Sequence, residues 1–478
     1  MNDKYIIGID GGTQSSKVVI FNTRGEKICQ ASEKLKPLYM PAFGVAEHPD
    51  DDLWTSIIIA SKKCMAKFPY DRADIIGAGV CTIRCCGVVL NKDGNLAQPA
   101  MNWMDKRLSA KYDHANKDAR YITTTTGYTC YRLTGNHYDT AANLTGPWWP
   151  IDKDNWNWFE DKEKFDSFGV KREMLFDLVN PGDTVGTITK EVAELTDIPE
   201  GLPVVITAND KAVEGLGAGL NKSNIGLISL GTYICPMILG EGNRTDLKGA
   251  FTNMACIPHK YLYESKGIRR GMSTVSWIKD LAGDGLVAEA EELGIAPEEL
   301  LNREASKIPA GTYGLFTILE WLGKPNEIYK RGIMIGFEGR HERSSMYRSI
   351  LEGIAMTCKN HMSITLDDLG RKIDTLIISG GGSNSDLFMQ IFADVFGIKA
   401  VRNEENGAAS MGSAISVAVG LGVYKTYDEA IEKMVRITDS FEPDLETHEF
   451  YTKINKEVYS QITKVTDPIL KKSYEIFH

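Results

Sequence analysis

Apolar positions enter this chain in short runs broken by glycine and polar residues. Residues 5–10 and 17–22 are compact Val/Ile/Phe-rich runs, the pattern of buried strands. Gly11-Gly12-Thr13-Gln14-Ser15 separates them, and an Arg24-Gly25 turn leads to a third strand predicted over 27–34. Gly suits a turn position that needs φ > 0. The chain therefore opens on an antiparallel meander whose first turn is glycine-rich. Helical spacing follows over 52–66. Further strands are predicted at 75–80 and 88–90, the latter closed by an Asn91-Lys92-Asp93-Gly94 turn.

The polar stretch 106–118 reads as a helix. Later come a strand at 203–207, a Gly/Ala-rich helix at 211–220, and strands at 225–230 and 233–239 around a second Gly-Thr turn. A helix at 344–357, a strand at 375–379, a helix at 386–396, a short strand at 399–402 and a small-residue helix at 407–419 complete the regular pattern. A polar helix is expected over 446–466, with Pro468 as its stop. The device of strand then Gly-Thr turn occurs at Ile9-Asp10-Gly11-Gly12-Thr13 and again at Ser229-Leu230-Gly231-Thr232. That repeat suggests two similar α/β domains, 1–224 and 225–478, facing a shared cleft.

Composition narrows the function classes. The 478 residues carry a net charge of −10, without the basic excess of a dedicated nucleic-acid binder. No stretch approaches the roughly 18 unbroken apolar residues of a membrane helix. The chain starts directly on a strand pattern, so no secretory leader is expected, and the nine scattered cysteines fit free thiols in a reducing cytoplasm. The 45 glycines are not periodic and should mark turns and close backbone approaches.

A glycine turn between strands presents converging N–H groups to phosphate oxygens. Gly12 supplies backbone, Thr13 and Gln14 add donors, Lys17 adds charge, and Asp10 could hold Mg²⁺ through water. One such loop alone is better read as a hairpin. The second turn at Gly231-Thr232 shifts the balance toward a phosphate clamp. Ser379-Gly380-Gly381-Gly382-Ser383-Asn384 lies between strand and helix and suits a flat bed for a base or ribose. Asp210 has two readings, a helix N-cap or a carboxylate that takes a proton from an attacking hydroxyl. The cluster Trp148, Trp149, Trp156 and Trp158 is expected to pack a connection rather than to stack on a ligand.

Taken in order, Gly8-Ile9-Asp10-Gly11-Gly12-Thr13, Trp103-Met104-Asp105-Lys106-Arg107, Asn209-Asp210, Ser229-Leu230-Gly231-Thr232 and Ser379-Gly380-Gly381-Gly382-Ser383-Asn384 resemble the FGGY carbohydrate kinases. The resemblance runs from about residue 5 to 424 and is closest to xylulose-type kinases and the kinase of the quorum-sensing autoinducer. It implies two ribonuclease-H-like domains of the actin/hexokinase type around an ATP cleft. It also implies Asp210 as general base, Asp10 as the magnesium-linked carboxylate, and Thr13, Gln14 and Thr232 as phosphate contacts. Gly381, Gly382 and Asn384 would meet the adenosine. Arg84, Cys85, Trp103, Asp105 and Asn209 would face the sugar.

Two departures bear on the substrate. The stretch at 110–121 is shorter than in many members of that family. Arg84-Cys85-Cys86 replaces the Gln-Met-His or Gln-Met-Gln of xylulose-type enzymes, which opens the pocket to an acidic or modified sugar. A ketopentose such as xylulose comes first, with a sugar acid, a polyol or the autoinducer behind it. A nucleotide-driven switch ATPase and a silent sugar sensor on the same fold are the rivals from other classes. A homodimer is the base-rate expectation.

Overall fold

The opening apolar runs form strands at Tyr5–Gly11, Ser15–Asn22 and Lys27–Lys34, joined as an antiparallel meander. The coordinates are a computed structural model that describes residues 3–323, 327–404 and 407–478; Met1 and Asn2, where the chain starts, lie outside the described residues. Gly25 turns the second hairpin with φ of 79°, the left-handed conformation that glycine adopts without strain. Ile75–Thr82 joins parallel to the first strand, Pro203–Ile206 joins parallel to that one, and Thr184–Thr187 closes the edge antiparallel.

A second sheet repeats this plan. Ile225–Ser229 pairs antiparallel with Cys235–Gly240, which pairs antiparallel with Tyr261–Ser265. On its other side Thr375–Ser379 and Lys399–Asn403 run parallel. Ala250–Met254 and Ile437–Phe441 extend the two edges. In both sheets the first strand is central, with an antiparallel meander on one side and two parallel strands on the other. This is the expected pair of ribonuclease-H-like units.

The helices Asp210–Gly217 and Ala408–Gly420 cross between the sheets. A Cβ on Gly217 would overlap the Ala408 carbonyl, and one on Gly412 would overlap that of Val213. The same 408–420 helix lies on the first sheet, where Gly8 faces the Ser410 carbonyl and Gly79 that of Ser413. The small residues of this helix thus allow a backbone-close approach, as the sequence pattern suggested.

The helix expected at 344–357 runs on to Leu369, and two other expected elements differ. The helix predicted at 106–118 is only a single short turn, Lys106–Ser109. Beyond it, Asp113 and Asn116 accept from the N–H groups of Ala115 and Asp118, local bonds that replace helical ones. That stretch also lacks an apolar stripe to bury. At the other end, Pro468 does not stop its helix: Ser460–Phe477 runs through it. Pro468 and Lys464, whose carbonyl loses its helical partner there, both lie on the exposed face of the helix, where a missing bond costs least. Among the described residues no helix is long and apolar enough to cross a membrane.

Candidate active site

The two Gly-Thr turns stand at the ends of the central strands. Gly12 donates its N–H to the Ser15 carbonyl at 3.0 Å, which curls the first turn tightly. Thr13 and Gln14 stay at least partly open to solvent. Lys17 stands opposite Asp10 across the hairpin. In the second turn Thr232 is exposed, while the Gly231 and Thr232 carbonyls accept from Met272 and Gly271 at 3.2 and 2.9 Å. Those bonds fix the turn to the helix that follows.

The third glycine cluster folds onto the second turn. Gly380 has φ of 90° and is pressed on the Leu230 backbone, and a Cβ at Gly382 would come within 2.7 Å of the Leu230 side chain. Gly382 therefore serves close packing, whereas Gly381 has nothing near its open side and Asn384 is exposed. These two face outward together.

The two readings of Asp210 are separated by the helix start. Asn209, not Asp210, is the N-cap: its side chain accepts from the Ala212 N–H at 3.2 Å and donates to the Ala142 carbonyl at 2.7 Å. Buried and fully engaged, Asn209 builds the helix entry rather than an open sugar contact. Asp210 is the first helical residue, with one oxygen accepting its neighbour's Lys211 N–H at 2.9 Å. Burial raises its carboxyl above the ordinary aspartate value, against the lowering pull of Arg84 and Lys211. Asp10 is pushed to about 7, by burial first and by the Asp210 charge second. A neighbouring carboxylate in a desolvated space raises a carboxyl in this way.

Arg84 was expected on the sugar side. Its guanidinium makes a two-pronged ion pair with Glu264, a fully buried carboxylate on the second sheet, with the second prong at 2.7 Å. Its Nε is 3.9 Å from Asp210. Arg84 thus bridges the two halves beside the candidate base. Glu264 also accepts from Asn253 at 2.9 Å. Nearby, Lys153 donates to the Thr252 carbonyl at 2.8 Å, another bond between halves.

Cys85 and Trp103 line a cavity of 390 Å³ with Cys86, Leu108, Thr145, Trp148 and Trp149. Trp103 is 49% exposed there. Cys85 has φ of 58° and its thiol is 3.1 Å from the Thr145 hydroxyl. Trp148 and Trp149 are otherwise buried, so they pack the subdomain and wall the cavity at once. Asp105 does not face this space. Its buried carboxylate is filled by Arg107 and by the Ala46 N–H at 2.9 Å. It braces the loop that carries Trp103.

Sequence reasoning missed Glu264, Lys153, Lys211 and Glu214. Each gains its meaning from a partner on another element. Only the charge of Lys211 and Glu214 within an otherwise Gly/Ala-rich helix was visible.

The two sheets and their shared plan define a fold of the actin/hexokinase type. Comparison with known proteins makes this particular. The chain matches the model of the FGGY family of carbohydrate kinases, N-terminal domain, over residues 5–132 and that of the C-terminal domain over 226–421. It is 47% identical to an uncharacterized sugar kinase, YgcE, of Escherichia coli K12, across 100% of this chain and 97% of that one. It is 25% identical to a xylulose kinase of Bacillus subtilis, covering 98% and 99%. The solved gluconate kinase of Lactobacillus acidophilus superposes with a TM-score of 0.84 at 18% identity, covering 98% and 100%. The chain belongs to the FGGY family of carbohydrate kinases and is an ATP-dependent sugar phosphotransferase.

Proposed function

We propose that this enzyme phosphorylates a hydroxyl of a neutral sugar, a ketopentose such as xylulose first, with Asp210 as the general base. The observation that carries the reading is the helix start: Asn209 caps the helix, which leaves the Asp210 carboxylate free of that duty, beside Arg84. The acceptor hydroxyl gives its proton toward Asp210 as its oxygen attacks the γ-phosphorus of ATP. Backbone N–H groups of the two Gly-Thr turns other than that of Gly12, which is held by Ser15, together with Thr13, Gln14, Lys17 and Thr232, receive the phosphates. Gly381 and Asn384 form the adenosine bed, with Gly382 packed on Leu230 behind them. The 1–224 and 225–478 halves act as the two closing domains and keep water from the phosphoryl group.

The residues present fit a magnesium ion. Among the described residues no hydrogen-bond donor reaches the Asp10 carboxylate, and its raised carboxyl marks a charge in want of a cation. A carboxylate held this way suits a hydrated Mg²⁺, which when bound would draw charge from phosphoryl oxygens.

Arg84 favours a neutral sugar over a sugar acid, because Glu264 already balances its charge. A polyol or the autoinducer stays within the class. The cavity walled by Trp103 supports an acceptor site over a nucleotide switch. Cytoplasmic residence follows from the need for ATP.

The test is an ADP-release screen over ketoses, polyols, aldonic acids and the autoinducer. Turnover on a neutral member is expected, and activity on none would overturn the reading. With that substrate, Asp210→Ala should lower kcat by about 10²–10⁴-fold while ATP binding persists.

A further inference from the structure

Lys211 and Glu214 have no part in the chemistry above, yet they occupy its centre. Lys211 Nζ donates to Glu214 Oε2 at 2.8 Å and to the Ser229 hydroxyl at 2.7 Å. The other oxygen of Glu214 accepts from the Ser379 hydroxyl at 2.6 Å. Ser229 and Ser379 are register partners at the ends of adjacent parallel strands. One strand runs on into Gly231-Thr232 and the other into Gly380-Gly381-Gly382. Leu230 N–H donates to the Ser379 carbonyl at 2.8 Å, so the two loops are joined at their base. Lys211 itself directly follows Asp210.

Both side chains are only 16% exposed. An ion pair in such a place is retained at a desolvation cost, and removing one end strands the other. The helix needs neither residue for its start, because Asn209 supplies the cap. Their bonds run outward, to the strands of the second half.

We propose that the Lys211–Glu214 pair is a positioning device that fixes the helix bearing the base to both nucleotide loops, so that a seated nucleotide sets where Asp210 stands. The inference rests on those loops being the nucleotide site. Lys211 and Glu214 are positioning residues here, since their polar atoms are engaged with the protein.

Calorimetric titration with ADP tests this without knowledge of the sugar. The variants are Lys211→Met, Glu214→Gln and the double variant, each first shown to melt cooperatively. Each single variant should bind ADP about tenfold more weakly, within the usual range of coupling between linked sites. The double variant should be no worse than the weaker single, because both changes cut one tie. With the sugar found by the screen, kcat should fall while the sugar KM changes by less than about twofold. Wild-type ADP affinity in the folded single variants, or simply additive losses, would overturn the proposal. Where Lys211→Met fails to fold, Ser379→Ala removes the far hydrogen bond alone, and unchanged ADP binding there would overturn it equally. A wild-type protein that binds no ADP would instead refute the nucleotide assignment.

Discussion

Arg84 serves two carboxylates with one guanidinium, and its removal should be felt at both. Glu264 would be left buried without its cation. Arg84→Gln is therefore expected to destabilise the fold by about 3 kcal/mol, measured by chemical denaturation, with part recovered in Arg84→Gln/Glu264→Gln. Its second effect is on the proposed base. As a general base Asp210 would work deprotonated, so kcat/KM should fall as pH drops through its raised carboxyl value. Arg84 holds that value down. Without it the acidic limb should move to higher pH, and an unmoved limb would separate Arg84 from the base. None of this was readable from Arg84-Cys85-Cys86 alone. The sequence offered a cation in the substrate loop, while the carboxylate that spends it stands 180 positions away.

His48 gives a sharper pH prediction. Buried with its Nδ1 unpartnered and its Nε2 3.1 Å from Asn102, it is pushed down to about 4 by burial. The unfolded chain takes up a proton below about 6.5, whereas the folded chain does not until about 4. Stability is thus full above pH 6.5 and lost as pH falls toward 4, by about 3 kcal/mol at most. Unfolding free energies at pH 7 and 4.5 should differ less in His48→Gln than in the wild type.

At the scale of elements, strands and turns were legible because each carries its own pattern. The meander, both Gly-Thr turns and the 386–396 helix formed where the residues placed them. The 106–118 stretch was misread because polar residues with helical propensity can be outbid by Asx bonds when no face is buried. The crossing of the 210–217 and 408–420 helices was half legible. Small residues announced a close approach but not its partner. Gly217→Ala should clash with the Ala408 carbonyl and cost roughly 1–3 kcal/mol or more. Gly215→Ala, whose Cβ would meet side chains at ordinary contact, 3.7 Å from Leu220, should be tolerated. Thermal melts of the two variants make the comparison, and equal melting points would argue against the backbone contact.

At the scale of the molecule, the halves are stitched on more than one side. Arg84–Glu264 and Lys153–Thr252 lie on the side of the proposed sugar site, joined by Trp156, whose indole N–H donates to the Tyr261 hydroxyl at 3.1 Å. Tyr424 donates to the Thr23 carbonyl at 2.7 Å on another side. The sequence showed two repeated plans but not these stitches, since each joins residues far apart in the chain. Closure should therefore be sensitive to the sugar-side set. Lys153→Met removes a bond to the Thr252 backbone and should raise the sugar KM more than the ATP KM, by about fivefold; steady-state kinetics with each substrate varied decides it.

The 408–420 helix has a consequence for how the protein is made. It covers the sheet built on the Tyr5–Gly11 strand, with Gly8 against Ser410. The opening meander cannot bury that face until a ribosome has read some four hundred codons further. Synthesis at roughly 5–20 residues per second leaves it open for tens of seconds. The amino-terminal half should then be a client of holding chaperones on the ribosome. A 1–224 fragment should lack a cooperative melt, and adding a separately expressed 225–478 fragment should restore one; a sharp transition from the first fragment alone would show that it matures without its distant lid.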